Sequence, residues 1–289
     1  MSRFELLYPA ACRLGECPVW LADAGQLLFV DVTGRCLHRF TPGSGALTTV
    51  PVEEDIGFVA PARSGGFVAG LRSGVWLLDE EGRKRRLLAR NPGDVRTVRF
   101  NDGGIDPQGR VLIGTIDETK REGSAGLYRL DTGGLTAVAS SLMTSNGVAF
   151  APDGGTLYHA DTPRFVIYQC DYRPGTGEVG NRRVFARLDP QAADRGRPDG
   201  AAVDRSGCYW SALYEGARVN CYDPSGRLLD QHPVPARCPT MPAFGDADLK
   251  TLYVTTAQAA DGSGGGLYAL RVETPGLSHQ SFDDEGFQT

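Results

Sequence analysis

Residues 106–113 read DPQGRVLI, a tight turn followed by a short run of aliphatic and β-branched residues. The same unit recurs along the chain, and its turns end at Gly25, Gly65, Gly109, Gly154, Gly207 and Asp248. The spacings between these positions are 40, 44, 45, 53 and 41 residues. Several short strands within a period of about 40–50 residues are typical of β-propeller blades. Since no stretch keeps apolar residues at helical spacing, the sequence predicts an all-β, six-bladed β-propeller.

The two ends of the chain differ from the other repeats. The first five repeats each contain a segment for a fourth strand, whereas the sixth ends after Arg271 in a turn and a tail that reads as polar. An additional strand pattern, residues 4–8, precedes the first repeat. Pairing it with the last blade would close the ring and remove an exposed strand edge. We therefore expect residues 1–289 to form a single propeller domain whose N-terminal strand completes the sixth blade.

The composition is that of an ordinary globular protein, with 41% hydrophobic and 22% charged residues. A net charge of -5 argues against a nucleic-acid partner. No apolar stretch has the length of a signal peptide or a membrane span. The seven cysteines contain no Cys-x-x-Cys pair, which favours reduced thiols over disulfides or a zinc site. We expect a cytoplasmic protein without a membrane partner.

One position in each repeat is expected to open the innermost strand of its blade, so these six side chains should converge near the axis. The positions are Glu16, Gly57, Asn101, Asn146, Asp199 and Thr240. Four of the six carry carboxylate or amide oxygens. Asn-Gly and Asp-Gly are also strong turn dipeptides, but turn chemistry does not account for Glu16. We therefore favour a functional axial cluster.

Carboxylate and amide oxygens are hard ligands that suit one divalent ion such as Ca²⁺, Mg²⁺ or Mn²⁺. Fe²⁺ and Zn²⁺ remain open, because a catalytic ion of several kinds can occupy an incomplete oxygen shell. The loop at residues 117–122, DETKRE, is expected at the mouth above the cluster. It either binds sugar hydroxyls or is a solvated loop. Cys17, beside Glu16, is interpreted as a packed thiol in preference to a reactive one.

Four segments in this order resemble the SMP-30/gluconolactonase family of regucalcin-like sugar lactonases. They are LGECPVW at residues 14–20, RFNDG at 99–103, SNGVA at 145–149 and PDG at 198–200. The resemblance covers roughly residues 10–272. It implies hydrolysis of a sugar lactone, a small-molecule substrate, to the sugar acid.

The resemblance also implies the roles of individual residues. It implies a metal ion held by Glu16, Asn146 and Asp199, with Asp199 also acting as the general base. Arg99 and Asn101 would face the substrate, and Glu118 would be the substrate-contacting acid of the mouth loop, although a simple offset from Arg99 gives Thr119. The choice between pentonolactone and hexonolactone stays open. Two alternatives are a phosphotriesterase-like hydrolase and a non-catalytic metal-binding propeller.

Overall fold

The computed structural model describes residues 3–120 and 123–287, which form 24 strands and two short 3₁₀ helices. The strands, in chain order, are β1 Glu5–Tyr8, β2 Gly15–Leu21, β3 Gln26–Asp31, β4 Cys36–Thr41, β5 Ala46–Pro51, β6 Ile56–Pro61, β7 Phe67–Leu71, β8 Gly74–Leu78, β9 Lys84–Arg90, β10 Val98–Ile105, β11 Val111–Asp117, β12 Ala125–Asp131, β13 Gly134–Leu142, β14 Ser145–Phe150, β15 Thr156–Asp161, β16 Val166–Arg173, β17 Glu178–Arg187, β18 Arg197–Val203, β19 Tyr209–Tyr214, β20 Arg218–Tyr222, β21 Leu228–Pro233, β22 Cys238–Gly245, β23 Thr251–Ala257 and β24 Leu267–Arg271. The 3₁₀ helices span Thr162–Arg164 and Glu285–Phe287. No helix in the described part of the chain is long and apolar enough to cross a membrane.

These strands form six antiparallel sheets of four strands each, which confirms the predicted six-bladed β-propeller. In the first five sheets the strands follow chain order from the inside outward. The sixth sheet has the order β22, β23, β24 and β1, so the N-terminal strand forms its outer edge. Leu6 pairs with Tyr268 in this antiparallel contact.

Burial falls from the axis outward in each blade. Every residue of β11 and of β23 is buried, whereas most residues of the outer strands β5 and β21 are exposed. A strand that packs against a neighbouring blade on both faces must be apolar on both, which explains its near-continuous aliphatic sequence. Outer strands pack on only one side, and their sequences are correspondingly polar.

The pairing register shifts in all six innermost strands at the position where the chain reaches the axis. The shifts lie at 16/19, 56/58, 100/103, 146/149, 198/201 and 239/242. A β-bulge bends a strand locally and redirects the side chains at the bulge. The bulge therefore determines where each axial side chain lies, whatever residue type occupies the position.

The segment after β24 crosses the face of the propeller that carries the turns between first and second strands. Gly276 forms a bridge with Asp204 of blade five, and Phe282 forms a parallel bridge with Ala62 of blade two. Phe282 is only 1% exposed and joins the hydrophobic core of the first two blades. The tail, read as polar from its sequence, is therefore a packed strap. Together with the inner strands, residues 277–280 of the strap line a cavity of about 400 Å³ below the axis.

Candidate functional site at the propeller axis

The axial cluster consists of Glu16, Asn101, Asn146 and Asp199, which lie on the innermost strands of four different blades. All four side chains are buried, with exposed fractions of 9% or less. The other two axial positions carry no acid or amide side chain. A Cβ atom at Gly57 would lie 2.3 Å from the Phe100 carbonyl oxygen, so the neighbouring blade leaves room only for glycine.

A directional chain of hydrogen bonds connects blades three, four and five. Arg99 Nη1 donates to Asn101 Oδ1 at 2.8 Å, and Asn101 Nδ2 donates to Asn146 Oδ1 at 2.6 Å. Asn146 Nδ2 then donates to Asp199 Oδ1 at 2.6 Å and to Thr162 Oγ1 at 2.8 Å. Each amide uses both its donor and its acceptor, which fixes the orientation of these side chains. The structure thus brings the predicted axial residues of these blades together.

The acidic side chains at the axis crowd one another. Burial, followed by repulsion from Asp199 and Asp102, raises the pKa of Glu16 well above its usual range. Burial and the charge of Asp102 likewise raise the pKa of Asp199. The charge of Arg197 opposes the shift at Asp199 most strongly, and Arg99 opposes the shifts at both carboxyl groups. Two carboxylates buried together favour a cation between them, because a buried charge requires a partner.

Asp102 is a third buried carboxyl group beside Glu16 and Asp199, and the sequence analysis did not select it as a site residue. Its exposed fraction is 3%, and burial raises its pKa to about 7 although backbone N–H groups of Val148 and Gly103 donate to it. The available signal was its position in the run Asn101-Asp102-Gly103. Asp-Gly is also a strong turn dipeptide, so this run alone does not distinguish an axial acid from a turn residue.

The donor set fits a divalent cation that prefers oxygen ligands. In the structure, Glu16 accepts a hydrogen bond from the Cys17 backbone N–H and Asp199 accepts one from Asn146, so both carboxylates keep oxygen lone pairs free. Asn146 Oδ1 has two lone pairs and accepts one bond, from Asn101. Among the described residues, no three His, Cys, Asp or Glu side chains lie together as a metal site. An ion here would therefore need the asparagine oxygen as well as the two acids.

The mouth loop brings Glu118 next to the axial cluster. Glu118 Oε1 lies 3.3 Å from Arg99 Nε, and its other oxygen accepts a hydrogen bond from Arg72 at 2.9 Å. Thr119, the alternative by position, donates its hydroxyl to Asp117 instead. Glu118, and not Thr119, is thus in contact with Arg99. The remaining residues of this loop, Arg121 and Glu122, lie outside the described residues.

Cys17 packs between two blades as a buried thiol. Its Sγ lies 3.3 Å from both the carbonyl oxygen and the amide nitrogen of Val59 in blade two. Burial raises the pKa of this thiol far above its ordinary value, so the thiolate is disfavoured. The structure supports the packed-thiol interpretation.

Comparison with known proteins gives a consistent result. The family model "SMP-30/Gluconolactonase/LRE-like region" matches residues 14–258. The chain is 41% identical to 6-deoxy-6-sulfogluconolactonase from Pseudomonas putida, over 93% of this chain and 94% of that one. It is 38% identical to pentonolactonase XacC from Haloferax volcanii, over 88% and 86% of the two chains. A solved structure of the calcium-binding protein regucalcin from Agrobacterium tumefaciens superposes with a TM-score of 0.90 at 26% identity, covering 96% of each chain. The resemblance inferred from the four sequence segments is thereby confirmed, and the chain belongs to the SMP-30/gluconolactonase/LRE-like family.

Proposed function

We propose that this protein is a lactonase that opens a sugar lactone to the sugar acid with one divalent metal ion at the axis. The observation that carries the proposal is the buried cluster of Glu16, Asn146 and Asp199 beside Asn101 and Arg99. Relatives named 6-deoxy-6-sulfogluconolactonase and pentonolactonase, at 41% and 38% identity, support a lactone substrate. The regucalcin structure described as calcium-binding supports a divalent ion.

Glu16, Asn146 and Asp199 would hold the metal ion. When bound, the ion supplies a Lewis acid that polarises the lactone carbonyl group and stabilises negative charge on its oxygen. Asp199 is assigned as the general base that takes a proton from the attacking water. Its Oδ1 is held by the Asn146 amide, which leaves Oδ2 for the water proton. A raised pKa makes its carboxylate a stronger base, which suits this role.

Arg99, Asn101 and Glu118 are assigned to binding the sugar. Arg99 Nη1 bonds to Asn101 and to the Phe100 carbonyl oxygen, which fixes its guanidinium in the mouth. Its Nε is buried, makes no hydrogen bond to a described residue and lies 3.3 Å from Glu118 Oε1 in an ion pair. Glu118 is 40% exposed at its side chain and offers acceptors for sugar hydroxyl groups. Such contacts raise the rate mainly by holding the sugar lactone in a fixed orientation relative to the attacking water.

The charged mouth argues against the two alternatives. A phosphotriesterase-like hydrolase for apolar esters would need an apolar entrance, whereas Arg72, Arg99 and Glu118 form ion pairs here. A binding propeller with a structural ion would not need a buried arginine such as Arg99 beside the axial acids. We also propose a cytoplasmic location, since all seven cysteines are free thiols, which suits a reducing compartment.

Acid release from a panel of pentonolactones and hexonolactones tests the proposal. The wild-type protein, Glu16→Ala and the matched control Glu178→Ala, an exposed acid on β17, are assayed after chelation and after adding back Ca²⁺, Mn²⁺, Mg²⁺, Fe²⁺ or Zn²⁺. We expect metal-dependent hydrolysis by the wild type and the control, and loss of activity in Glu16→Ala. Full activity in chelated, metal-free protein would show that the metal is not catalytic. No hydrolysis of any lactone with any ion would refute the lactonase assignment.

A further inference from the structure

Three cationic side chains meet at the mouth, and we call Arg99, Lys120 and Arg197 the mouth cations. Arg99 lies two residues before Asn101 on β10, and Arg197 lies two residues before Asp199 on β18. The two arginines therefore occupy the same position of the repeat, in blades three and five. Lys120 follows β11 in the mouth loop, so all three belong to the face above the axial cluster.

The mouth cations have unused hydrogen-bond donors. The Nε atoms of Arg99 and Arg197 are both buried and make no hydrogen bond to a described residue, although Arg99 Nε lies 3.3 Å from Glu118 Oε1 in an ion pair. Arg99 is only 6% exposed as a whole residue, so bulk water does not readily satisfy its Nε donor. Leaving a buried charged donor unsatisfied is costly, and such donors in native proteins commonly bind a ligand or ordered water.

Lys120 has no ion-pair partner within 4 Å in residues 3–120 and 123–287. Its backbone N–H donates to the Asp117 carbonyl oxygen in a turn that places Lys120 at a φ of 59°. Partial desolvation of this otherwise exposed side chain lowers the pKa of its ammonium group, and repulsion from Arg99 and Arg197 lowers it further. The three cations are therefore close enough to repel one another.

Nearby carboxylates pair with the arginines of this group. Glu118 is shared between Arg72 and Arg99, and Glu215 pairs with Arg197 at 2.8 Å. The Arg197 guanidinium also stacks 5.1 Å from the centre of the Tyr214 ring, which fixes its plane at the mouth. Glu118, Glu215 and, through Arg72, Asp55 thus pair with the arginines, whereas Lys120 has no such carboxylate among the described residues. Planar guanidinium groups with fixed orientation bind tetrahedral and planar oxyanions well, often through two hydrogen bonds.

We propose that the mouth cations form a subsite for an anionic group, a sulfonate or phosphate, at the end of the lactone that is remote from the reacting carbonyl group. The proposal rests on the lactonase function proposed above and assigns its substrate class: sugar lactones that carry a terminal oxyanion. Lys120 acts in specificity and not in the chemical step, because it is not part of the hydrogen-bond chain to Asp199. Arg197 binds the anion, and its charge also lowers the pKa of Asp199. Arg99 serves both the sugar and the anion.

The test compares lactones that differ only in their terminal group. Hydrolysis of glucono-1,5-lactone is measured beside that of its 6-phosphate and its 6-deoxy-6-sulfonate, for the wild type, Lys120→Gln and Arg197→Gln. Lys250→Gln is the matched control, because Lys250 lies in the turn between β22 and β23 on the opposite face. We expect kcat/KM for at least one anionic lactone to fall by about 10- to 100-fold in each mouth variant, mainly through KM. Activity on the neutral lactone should change less than about threefold in Lys120→Gln, and Lys250→Gln should match the wild type on every lactone.

A second readout separates this proposal from the lactonase function itself. Calorimetric binding of gluconate, 6-phosphogluconate and 6-deoxy-6-sulfogluconate, which all carry the same carboxylate, reports on the terminal anion without catalysis. Tighter binding of a terminally anionic acid, weakened by added salt and by Lys120→Gln, supports the subsite even if no lactone is hydrolysed. The relative affinities of the two anionic acids identify which oxyanion the subsite prefers. Equal binding of all three acids, or equal losses on neutral and anionic lactones in Lys120→Gln, would overturn the proposal.

Discussion

Replacing Asp102 by asparagine removes a carboxyl group from the axis while keeping the bulk of the side chain. Asp102 Oδ1 accepts the Gly103 N–H at 2.7 Å, and Oδ2 accepts the Val148 N–H at 2.9 Å. Even with these bonds, burial raises the pKa of Asp102 from 3.8 to about 7. The charged carboxylate is therefore unfavourable in the folded, metal-free protein at neutral pH.

The direction of the pH effect follows from the higher pKa in the folded state. The stabilisation associated with the protonated group is complete below about pH 4 and is lost as the pH rises through about 7. A pKa raised from 3.8 to about 7 corresponds to roughly 4 kcal/mol. Because asparagine does not titrate, Asp102→Asn should gain about this much stability relative to the wild type between pH 4 and pH 8.

Urea denaturation of chelated protein at several pH values measures this difference directly. Asp248→Asn is the control of opposite sign: hydrogen bonds from Arg271 and the Lys250 backbone lower the pKa of Asp248 to about 2. Asp248 therefore stabilises the fold above about pH 4, and its contribution is lost as the pH falls toward 2. Adding a divalent ion should reduce the pH dependence of the Asp102 difference, since a cation at the axis favours the charged carboxylates. A stability difference between wild type and Asp102→Asn that does not vary with pH would refute the reasoning.

Three further predictions concern the strap, the inner strands and the assigned base. Phe282→Ala should lower the free energy of unfolding by about 3–5 kcal/mol, because it empties a core position; an unchanged denaturation midpoint would show that the strap is not part of the core. Gly57→Ala should lower the free energy of unfolding by about 1–3 kcal/mol or more. Gly43→Ala, where an added Cβ would have no atom within 4 Å, should have little effect in the same urea titration. At saturating metal, verified by elemental analysis, Asp199→Asn should remain slower in kcat by about 10²–10⁴-fold while Asn146→Ala recovers much more; near wild-type kcat for Asp199→Asn would limit Asp199 to a ligand role.

The blades could be predicted from the sequence because the turn and strand patterns that define them are local. Each turn, such as residues 106–109, is followed by an apolar run that has to be an inner strand, and the period repeats six times. The axial positions follow from the same counting, which placed Glu16, Asn101, Asn146 and Asp199 together. Counting from turns succeeds here because every inner strand has nearly the same length between its bulge and its turn.

The features that sequence reasoning missed depend on contacts between distant parts of the chain. The strap contains a single buried aromatic, Phe282, within a polar segment, and its partner Ala62 is 220 residues away in sequence. Arg197 precedes a recognised motif, but its relation to Lys120 emerges only when blades three and five close around the same mouth. Asp102 follows Asn101 in a turn-like run, and only the bulge at this point directs it inward.

The β-bulge recurs in every inner strand and does not depend on which residue type occupies the axial position. All six inner strands shift register at the axis, including those with Gly57 and Thr240, where no acid or amide is present. The backbone geometry therefore does not depend on the axial side chain, and the closed ring of blades supplies the energy that holds unfavourable carboxylates together. Substitution at one axial position should then change metal affinity or substrate contacts while leaving the remaining five positions in place. This independence explains how Glu16, Asn146 and Asp199 in three separate blades can form one site although no local sequence segment contains two of them.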